Sequence, residues 1–343
     1  MISYSRQTID NDDVMAVSNT LVSPLITTGP KVSEFENKLC ERVGVQYGVA
    51  TSSGTAALHA AMYAIGINEG DEVIVPAITF VSAANVVVFQ KGVPVFCDVD
   101  EDTLLIDLNC IEELITPKTK AIMAMDYGGQ VCDYEALSRI TNKYNLYLVA
   151  DACHSLGAMS PIADITAYSF HPLKHITTGE GGMAVTNDET LAKRMRRFRF
   201  HGMEDGIMVD LGFNYRITDF QCALGISQLN KLNSFIRRRQ EIAAFYSKNF
   251  PDEIRLKVNG SHVYHLYVIK TLNRDEVRNR LSNLNIETRV HYIPVYNHLY
   301  YQNYPRNCPV ADNVSKQIVS LPIHPKLTFT SQKYIIDNVR ELV

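Results

Sequence analysis

The chain has 343 residues, of which 46% are hydrophobic and 20% are charged, and its formal net charge is −4. This composition is typical of a soluble globular protein with two domains, or with one large and one small domain. The absence of a basic block argues against a nucleic-acid partner. No apolar run approaches 18 residues, so we expect no transmembrane helix and no membrane partner.

The N-terminal segment 1–10 is polar and lacks the apolar core of a signal peptide. The cysteines are scattered and odd in number, and they form no CxxC pair: Cys40, Cys97, Cys110, Cys132, Cys153, Cys222 and Cys308. We interpret them as free thiols, with neither a zinc site nor a disulfide framework. The sequence therefore predicts a cytoplasmic protein without a metal site.

Apolar residues spaced by three and four predict helices at 10–22 and 32–43, separated by a turn at 26–30. A third helix is predicted at 56–65, and it opens with Ser52-Ser53-Gly54-Thr55. The first N–H groups of a helix have no partner within the helix, so such a start can bind an anion. A plain N-cap explains the same residues, and both interpretations stay open.

Strands and helices alternate from residue 73 onward. We predict strands at 73–75, 93–96, 121–125 and 146–150, and helices at 80–89, 111–115 and 134–144. This alternation predicts an α/β fold with a mostly parallel sheet and helices on both faces. Ligands of such sheets bind at the carboxyl ends of the strands, and Asp151 lies at one of these ends.

A lysine, Lys174, follows the apolar run 165–170, which we predict to be a buried strand. The GEGG turn at 179–182 and a strand at 183–186 come next. Lys174 is therefore predicted on a loop between two strands, a rigid setting that suits a lysine forming a Schiff base. A lysine in a loop is more often a solvated charge, and the stretch alone does not decide between the two.

The last third of the chain has a different pattern. We predict helices at 191–198, 274–284 and 334–343, one or two long helices over 218–249, and strands at 265–269 and 287–290. These elements favour a small C-terminal α+β domain. We place the boundary inside the long helical stretch, which gives a large domain at 1–230 and a small domain at 231–343.

Three features match the needs of pyridoxal phosphate, whose phosphate, ring nitrogen and aldehyde require different partners. The helix start at Gly54-Thr55 offers N–H groups, Asp151 offers a carboxylate, and Lys174 offers an amine. Phe80 follows a strand and offers a ring for stacking. Each residue also has an ordinary structural explanation: Asp151 as a helix cap, Phe80 as a core residue, and His154 as a surface or capped histidine.

The sequence resembles the DegT/DnrJ/EryC1/StrS family of sugar-nucleotide aminotransferases, which have the type I aminotransferase fold. The resemblance covers nearly the whole chain. It is carried by ITTGPKVSEFE at 26–36, TSSGTAALHAA at 51–61, PAITFVSAAN at 76–85, DACHSLGA at 151–158, SFHPLKHITTGEGG at 169–182 and GFNYRITDFQCALG at 212–225. The segments at 169–182 and 289–302 look most like the pseudaminic-acid branch of the family.

The resemblance implies a role for each matching residue. Lys174 would form the Schiff base and shuttle the proton between the donor's Cα and the cofactor, while Asp151 would pair with the ring nitrogen. Phe80 would stack on the ring and His154 would contact its 3′-oxygen. The remaining cofactor residues implied are Gly54, Thr55 and Ser169 at the phosphate, and Asn214 reaching the same phosphate from a partner subunit of a homodimer.

The resemblance also implies a substrate. It is a UDP-linked 4-keto-6-deoxy-N-acetylhexosamine aminated at C4, with L-glutamate as the donor. The segments that would line its site contain Tyr4, Thr27, Arg289, His291 and Tyr292. The alternatives are a dTDP-linked 3- or 4-keto hexose and a non-catalytic regulator that binds the cofactor. Residues 159–164 replace a longer insert of most relatives, which leaves the fit of the substrate open. Some relatives have histidine in place of the lysine and act as dehydratases, so Lys174 favours transamination.

Overall fold

The computed structural model describes residues 1–158 and 162–343. Its α-helices are α1 Asn11–Leu21, α2 Pro30–Val43, α3 Gly54–Ala64, α4 Ser82–Phe89, α5 Leu108–Leu114, α6 Tyr134–Tyr144, α7 Glu189–Arg199, α8 Asp219–Asn249, α9 Arg274–Asn283, α10 Pro309–Val314 and α11 Phe329–Arg340. No helix within these ranges combines the length and apolarity that a membrane crossing needs.

The strands are β1 Tyr47–Thr51, β2 Glu72–Pro76, β3 Val93–Cys97, β4 Thr119–Met125, β5 Tyr147–Asp151, β6 Ile165–Ser169, β7 Gly182–Thr186, β8 Met203–Glu204, β9 Ile207–Met208, β10 Tyr267–Lys270 and β11 Ile318–Leu321. The central sheet has seven strands in the order β1-β7-β6-β5-β4-β2-β3. Its run from β6 to β3 is parallel, and β7 is antiparallel to β6 and to β1. The predicted mostly parallel α/β fold is confirmed. Strand β1, short and containing a glycine, was not predicted.

Helix α3 packs closely on the sheet because its buried face consists largely of alanines. Small side chains let a helix axis approach its neighbour, and the N-terminus of α3 therefore comes against the ends of β6 and β7. Strand β1 leads directly into this helix through residues 52–53. The predicted anion-binding start of α3 is in this way brought beside the loop that carries Lys174.

The C-terminal part has its own apolar core. Strands β10 and β11 pair antiparallel, and buried residues of α8, α9 and α11 pack with them. The predicted strand at 287–290 is wrong: within it only Arg289 forms an isolated bridge, with Ser320. Helix α8 runs unbroken across residues 230 and 231, and the domain boundary between these residues stays a prediction.

Asp219, the first residue of α8, holds the start of α2. Its carboxylate is fully buried and accepts hydrogen bonds from the backbone N–H groups of Gly29 at 2.6 Å and Lys31 at 2.9 Å. Gly29, the N-cap of α2, offers no side chain of its own for this purpose. A distant carboxylate therefore replaces the local cap.

We expect Asp219→Ala to lower the free energy of unfolding by about 1–3 kcal/mol, because two partly buried N–H groups lose their acceptor. Urea unfolding measures the change. Asp275→Ala is the matched control, since Asp275 is exposed in the first turn of α9. Equal losses in the two variants would contradict the capping role.

Candidate active site

A cavity of about 550 Å³ lies at the carboxyl ends of β4, β5 and β6. The predicted site residues that line it are Tyr4, Gly54, Thr55, Phe80, Asp151, His154, Ser169, Lys174, His291 and Tyr292. These residues come from segments far apart in sequence, and the topology of the sheet gathers them at one edge. Thr27, Asn214 and Arg289 do not line this cavity.

The start of α3 forms one end of the cavity. Ser53 is the N-cap, and its hydroxyl accepts a hydrogen bond from the N–H of Ala56 at 3.1 Å. A side chain on Gly54 would place its Cβ 2.8 Å from the Cβ of Ser169, and one on Gly182 would come within 2.3 Å of the Ser53 carbonyl oxygen. Glycine is therefore required at both positions, and the N–H groups at the helix start stay open to the cavity.

Asp151, the last residue of β5, is 2% exposed. Its Oδ1 accepts the Cys153 N–H at 3.1 Å, and the residues described directly after it, 152–158, contain turns and no helix for it to cap. Burial raises the pKa of this carboxyl, while hydrogen bonds from Cys153 and the charge of Lys174 act in the opposite direction. A buried carboxylate facing a cavity is suited to hold a cation or an N–H group.

Lys174 ends a turn in which its N–H donates to the His171 carbonyl at 2.9 Å. Its side chain is partly buried and lines the cavity, so it is not a solvated surface charge. Burial lowers the pKa of its amine, and the nearby Cys153 and Asp151 groups oppose this effect. A lowered pKa makes the neutral, nucleophilic form of the amine more accessible.

His154 is 1% exposed, which rules out a surface histidine. Its Nδ1 faces the N–H of Gly128 at 3.3 Å, and its Nε2 lies 3.2 Å from the Tyr292 hydroxyl. Burial lowers the pKa of His154 well below its usual value. The ring is therefore neutral, Nδ1 accepts from Gly128, and Nε2 carries the proton and donates to Tyr292.

The glycine turn after β4 sets the position of a second histidine. Gly129 has φ 99°. A Cβ there would lie 2.8 Å from the His154 carbonyl oxygen and 3.0 Å from the backbone nitrogen of His265. The rings of His154 and His265 are 4.1 Å apart between centroids. His265 lines the cavity and was not predicted from the sequence. The two adjacent glycines at 128–129 were the available signal for this close approach.

Asp126 lies directly behind the site, one residue after β4, and is fully buried. It accepts hydrogen bonds from the Cys132 N–H at 2.9 Å, from the Tyr134 hydroxyl at 3.0 Å and from the Ser155 hydroxyl. Its own N–H donates to the Asp151 carbonyl at 3.1 Å. Asp126 therefore fixes the segment that carries Asp151 and His154, and it too was not predicted from the sequence.

Three predicted site residues lie elsewhere. Arg289 is exposed and pairs with Glu287. Thr27 is exposed and forms an isolated bridge with Thr218. Asn214 is exposed, and its side-chain oxygen accepts from Arg216 Nε of the same chain at 3.0 Å. Any contact of Asn214 with a cofactor phosphate would therefore require the cavity of another subunit.

The cavity fits pyridoxal phosphate. The required glycines at 54 and 182 leave the helix start open for a phosphate. The buried Asp151 suits the ring nitrogen, and the half-exposed ring of Phe80, with 50% of its surface accessible, is free to stack. Within the described residues no group of three or more His, Cys, Asp or Glu side chains is arranged to hold a metal ion.

Fold and site together define an aminotransferase that uses pyridoxal phosphate. A family model described as the DegT/DnrJ/EryC1/StrS aminotransferase family matches residues 7–340. The chain belongs to this family. The family predicted from the sequence motifs, its fold and its cofactor are thereby confirmed.

Curated relatives span essentially the whole chain. The spore coat polysaccharide biosynthesis protein SpsC of Bacillus subtilis is 36% identical, over 100% of this chain and 97% of the relative. GDP-perosamine synthase of Escherichia coli O157:H7 is 35% identical, over 91% of this chain and 90% of the relative. The UDP-4-amino-4,6-dideoxy-N-acetyl-beta-L-altrosamine transaminase of Campylobacter jejuni is 34% identical, over 99% and 96%.

Solved structures agree with the same assignment. The putative sugar aminotransferase Spr1654 of Streptococcus pneumoniae in its PMP form has a TM-score of 0.95 and 29% identity, over 99% of this chain and 97% of that chain. Helicobacter pylori PseC, an aminotransferase of pseudaminic-acid biosynthesis, has a TM-score of 0.93 and 31% identity, over 99% and 98%.

The buried Asp126 gives a pH prediction. Burial raises its pKa from 3.8 to about 6, so the folded state binds the proton more tightly than the unfolded state. The contribution of this bound proton to the free energy of unfolding is fully present below pH 4, and it is lost as the pH rises to about 6. Asp126→Asn does not titrate, so the wild type should lose about 2–3 kcal/mol of unfolding free energy relative to this variant between pH 4 and 6.

Urea unfolding at several pH values measures this difference. Asp337→Asn, at an exposed position of α11, serves as the control and should show no such relative change. A constant difference between the wild type and Asp126→Asn over the same range would contradict the prediction.

Proposed function

We propose that the protein transfers an amino group from L-glutamate to C4 of a UDP-linked 4-keto-6-deoxy-N-acetylhexosamine, in nucleotide amino-sugar biosynthesis. The observation that carries the transfer chemistry is the placement of Lys174, Asp151 and the start of α3 in one cavity. The nucleotide sugar is supported by relatives whose names specify GDP- and UDP-linked sugars. We propose that the enzyme acts in the cytoplasm.

The cofactor would be held by residues on several elements. Gly54, Thr55 and Ser169 would bind its phosphate, and Phe80 would stack on the ring. Asp151 would keep the ring nitrogen protonated and His154 would contact the 3′-oxygen. When bound, pyridoxal phosphate supplies an electron sink that makes the donor's Cα proton acidic.

Lys174 would hold the cofactor aldehyde before the donor arrives and then move the proton between the donor's Cα and the cofactor. Its lowered pKa suits both tasks, since a neutral amine accepts a proton readily. The Asp151 carboxylate would orient the ring through its nitrogen. Asp151 is almost fully buried, which strengthens its electrostatic interaction with a bound ring.

The acceptor sugar would lie toward Tyr4, His291 and Tyr292, which line the cavity. Arg289 and Thr27 lie outside it, and we propose that they contact the nucleotide or its diphosphate at the entrance. Arginine binds phosphate oxygens bidentately, which supports this role for Arg289. The pseudaminic-acid branch is supported by the likeness to the Campylobacter and Helicobacter enzymes. Residues 159–161 of the shortened loop lie outside the described residues.

Amination of a panel of keto sugars tests the function. With L-glutamate, the purified enzyme should convert a UDP-linked 4-keto-6-deoxy-N-acetylhexosamine to the 4-amino sugar, detected by mass spectrometry. Lys174→Ala should lose turnover by several orders of magnitude, because no other amine replaces its proton transfer. Turnover of only a dTDP- or GDP-linked hexose would overturn the substrate assignment. Cofactor binding without any turnover would favour the regulator instead.

We also propose a homodimer with shared active sites. Asn214 is exposed beside apolar residues that are also exposed: Phe200, Ile207, Met208, Val209, Leu211 and Phe213. An apolar surface of this kind supports a subunit interface. An interface there would carry Asn214 toward the cofactor phosphate of the partner, which its own cavity does not permit.

Mixing two inactive variants tests the shared site. Chains with Lys174→Ala and chains with Asn214→Ala should each be inactive or nearly so alone. A mixed dimer has one site that keeps both residues, so random exchange should restore about one quarter of the wild-type activity. Subunit exchange is verified by native mass spectrometry. No recovery in a verified mixture would contradict the shared site.

A further inference from the structure

One wall of the cavity presents polar groups that no described residue engages. Tyr4 is 4% exposed and His265 is 5% exposed, and both line the cavity. The hydroxyl of Tyr4 and Nδ1 of His265 are buried without a hydrogen-bond partner in the described chain. Unpaired buried polar groups are costly and rare in folded proteins, so this pair indicates a ligand.

Arg239 of α8 lies behind this wall. It is 1% exposed, and its Nη1 donates to the carbonyl oxygens of Tyr264, His265 and Ile323 at 3.2, 3.3 and 2.8 Å. Within the described ranges no carboxylate forms an ion pair with it. A buried charge that is balanced only by carbonyl dipoles leaves a positive potential around it.

The charge of Arg239 acts on both wall residues. Burial raises the pKa of Tyr4 and lowers the pKa of His265, and the Arg239 charge lowers the pKa of both. Tyr4 therefore remains a phenol and His265 a neutral imidazole. Each can donate one hydrogen bond, and neither brings a negative charge to the wall.

The position of His265 is fixed by the backbone. The Leu266 N–H donates to the carbonyl oxygen of Gly128 at 3.0 Å, and the Val263 N–H donates to the carbonyl oxygen of Gly129 at 2.9 Å. The glycine turn that orients His154 thus holds the His265 segment as well. A rigid hydrogen-bond donor loses little entropy when it binds a ligand. The fixed position of His265 therefore favours a role in binding over an unpaired polar group that is merely tolerated.

The chemistry of this wall matches a carboxylate. No arginine lines the cavity in the part of the chain that the structure describes, and the phosphate-binding start of α3 is a separate group of residues. Two neutral donors in front of a buried positive charge suit a single negative charge better than a diphosphate. We propose that Tyr4 and His265, backed by Arg239, form the subsite for a carboxylate group of the amino donor.

This inference rests on the proposed function only in taking the donor to be an amino acid. Lys174 lines the same cavity, so a donor held here by its carboxylate would present its Cα to the lysine amine. The same wall would be vacated for the acceptor sugar in the second half of the reaction. Tyr4 would then serve the donor, in addition to the sugar-nucleotide role expected from the sequence.

Binding of glutarate to the cofactor-loaded enzyme tests the subsite. Glutarate has the two carboxylates of glutamate but no amine, so it binds without reacting. Isothermal titration calorimetry should show glutarate binding to the wild type. Tyr4→Phe and Arg239→Gln should each weaken it about tenfold or more, because each removes one favourable interaction with the carboxylate.

Tyr300→Phe is the matched control, since Tyr300 is 66% exposed and loses the same hydroxyl. It should bind glutarate as the wild type does. Arg239→Gln is interpreted only if its circular dichroism matches the wild type, and Tyr4→Phe carries the test otherwise. Unchanged glutarate affinity in Tyr4→Phe, or weakened UDP affinity with unchanged glutarate affinity, would overturn the subsite. Because glutarate binding needs no turnover, its result is independent of whether the enzyme aminates the proposed sugar.

Discussion

The structure depends on the close approach of the start of α3 to the ends of β6 and β7. At Gly182 an added methyl would come within 2.3 Å of the Ser53 carbonyl, and at Gly54 within 2.8 Å of Ser169. The Ser53 carbonyl belongs to the backbone and the Ser169 Cβ is fixed to it, so rotation of a side chain relieves neither contact. The open N–H groups of α3 and the lysine loop after β6 lie in one cavity only because both glycines are present. The alanine-rich buried face of α3 also allows the helix to pack this closely on the sheet.

Buried charges are concentrated around the same edge of the sheet. Asp126 directly follows β4 and Asp151 ends the adjacent β5. Lys174, which lines the main cavity, also lines a small second cavity together with Arg239. The Asp126 carboxylate accepts three hydrogen bonds, whereas Arg239 has only carbonyl partners among the described residues. This difference separates their proposed roles. Asp126 fixes the backbone of the site, and Arg239 leaves a positive potential for a ligand.

The glycine turn at 128–129 connects these parts. It donates to His154, and it receives hydrogen bonds from the segment that carries His265. Tyr127, just before it, donates its hydroxyl proton to the carbonyl of His291. One short turn thus links the end of β5 with two later segments of the chain. The cavity is consequently held by backbone contacts from both halves of the chain, whatever the position of the domain boundary.

The sequence alone determined the alternation of strands and helices, the family, and most residues of the cavity. These follow from local periodicity and from motifs in which the functional residue and its neighbours are adjacent in the chain. The tertiary structure decided what depends on long-range contacts. Strand β1 forms because β7 pairs with it, and the predicted strand at 287–290 lacks a partner strand beyond Ser320. His265, Asp126 and Arg239 belong to the site through contacts with distant segments, and no local pattern marks a residue whose partners are far away in the chain.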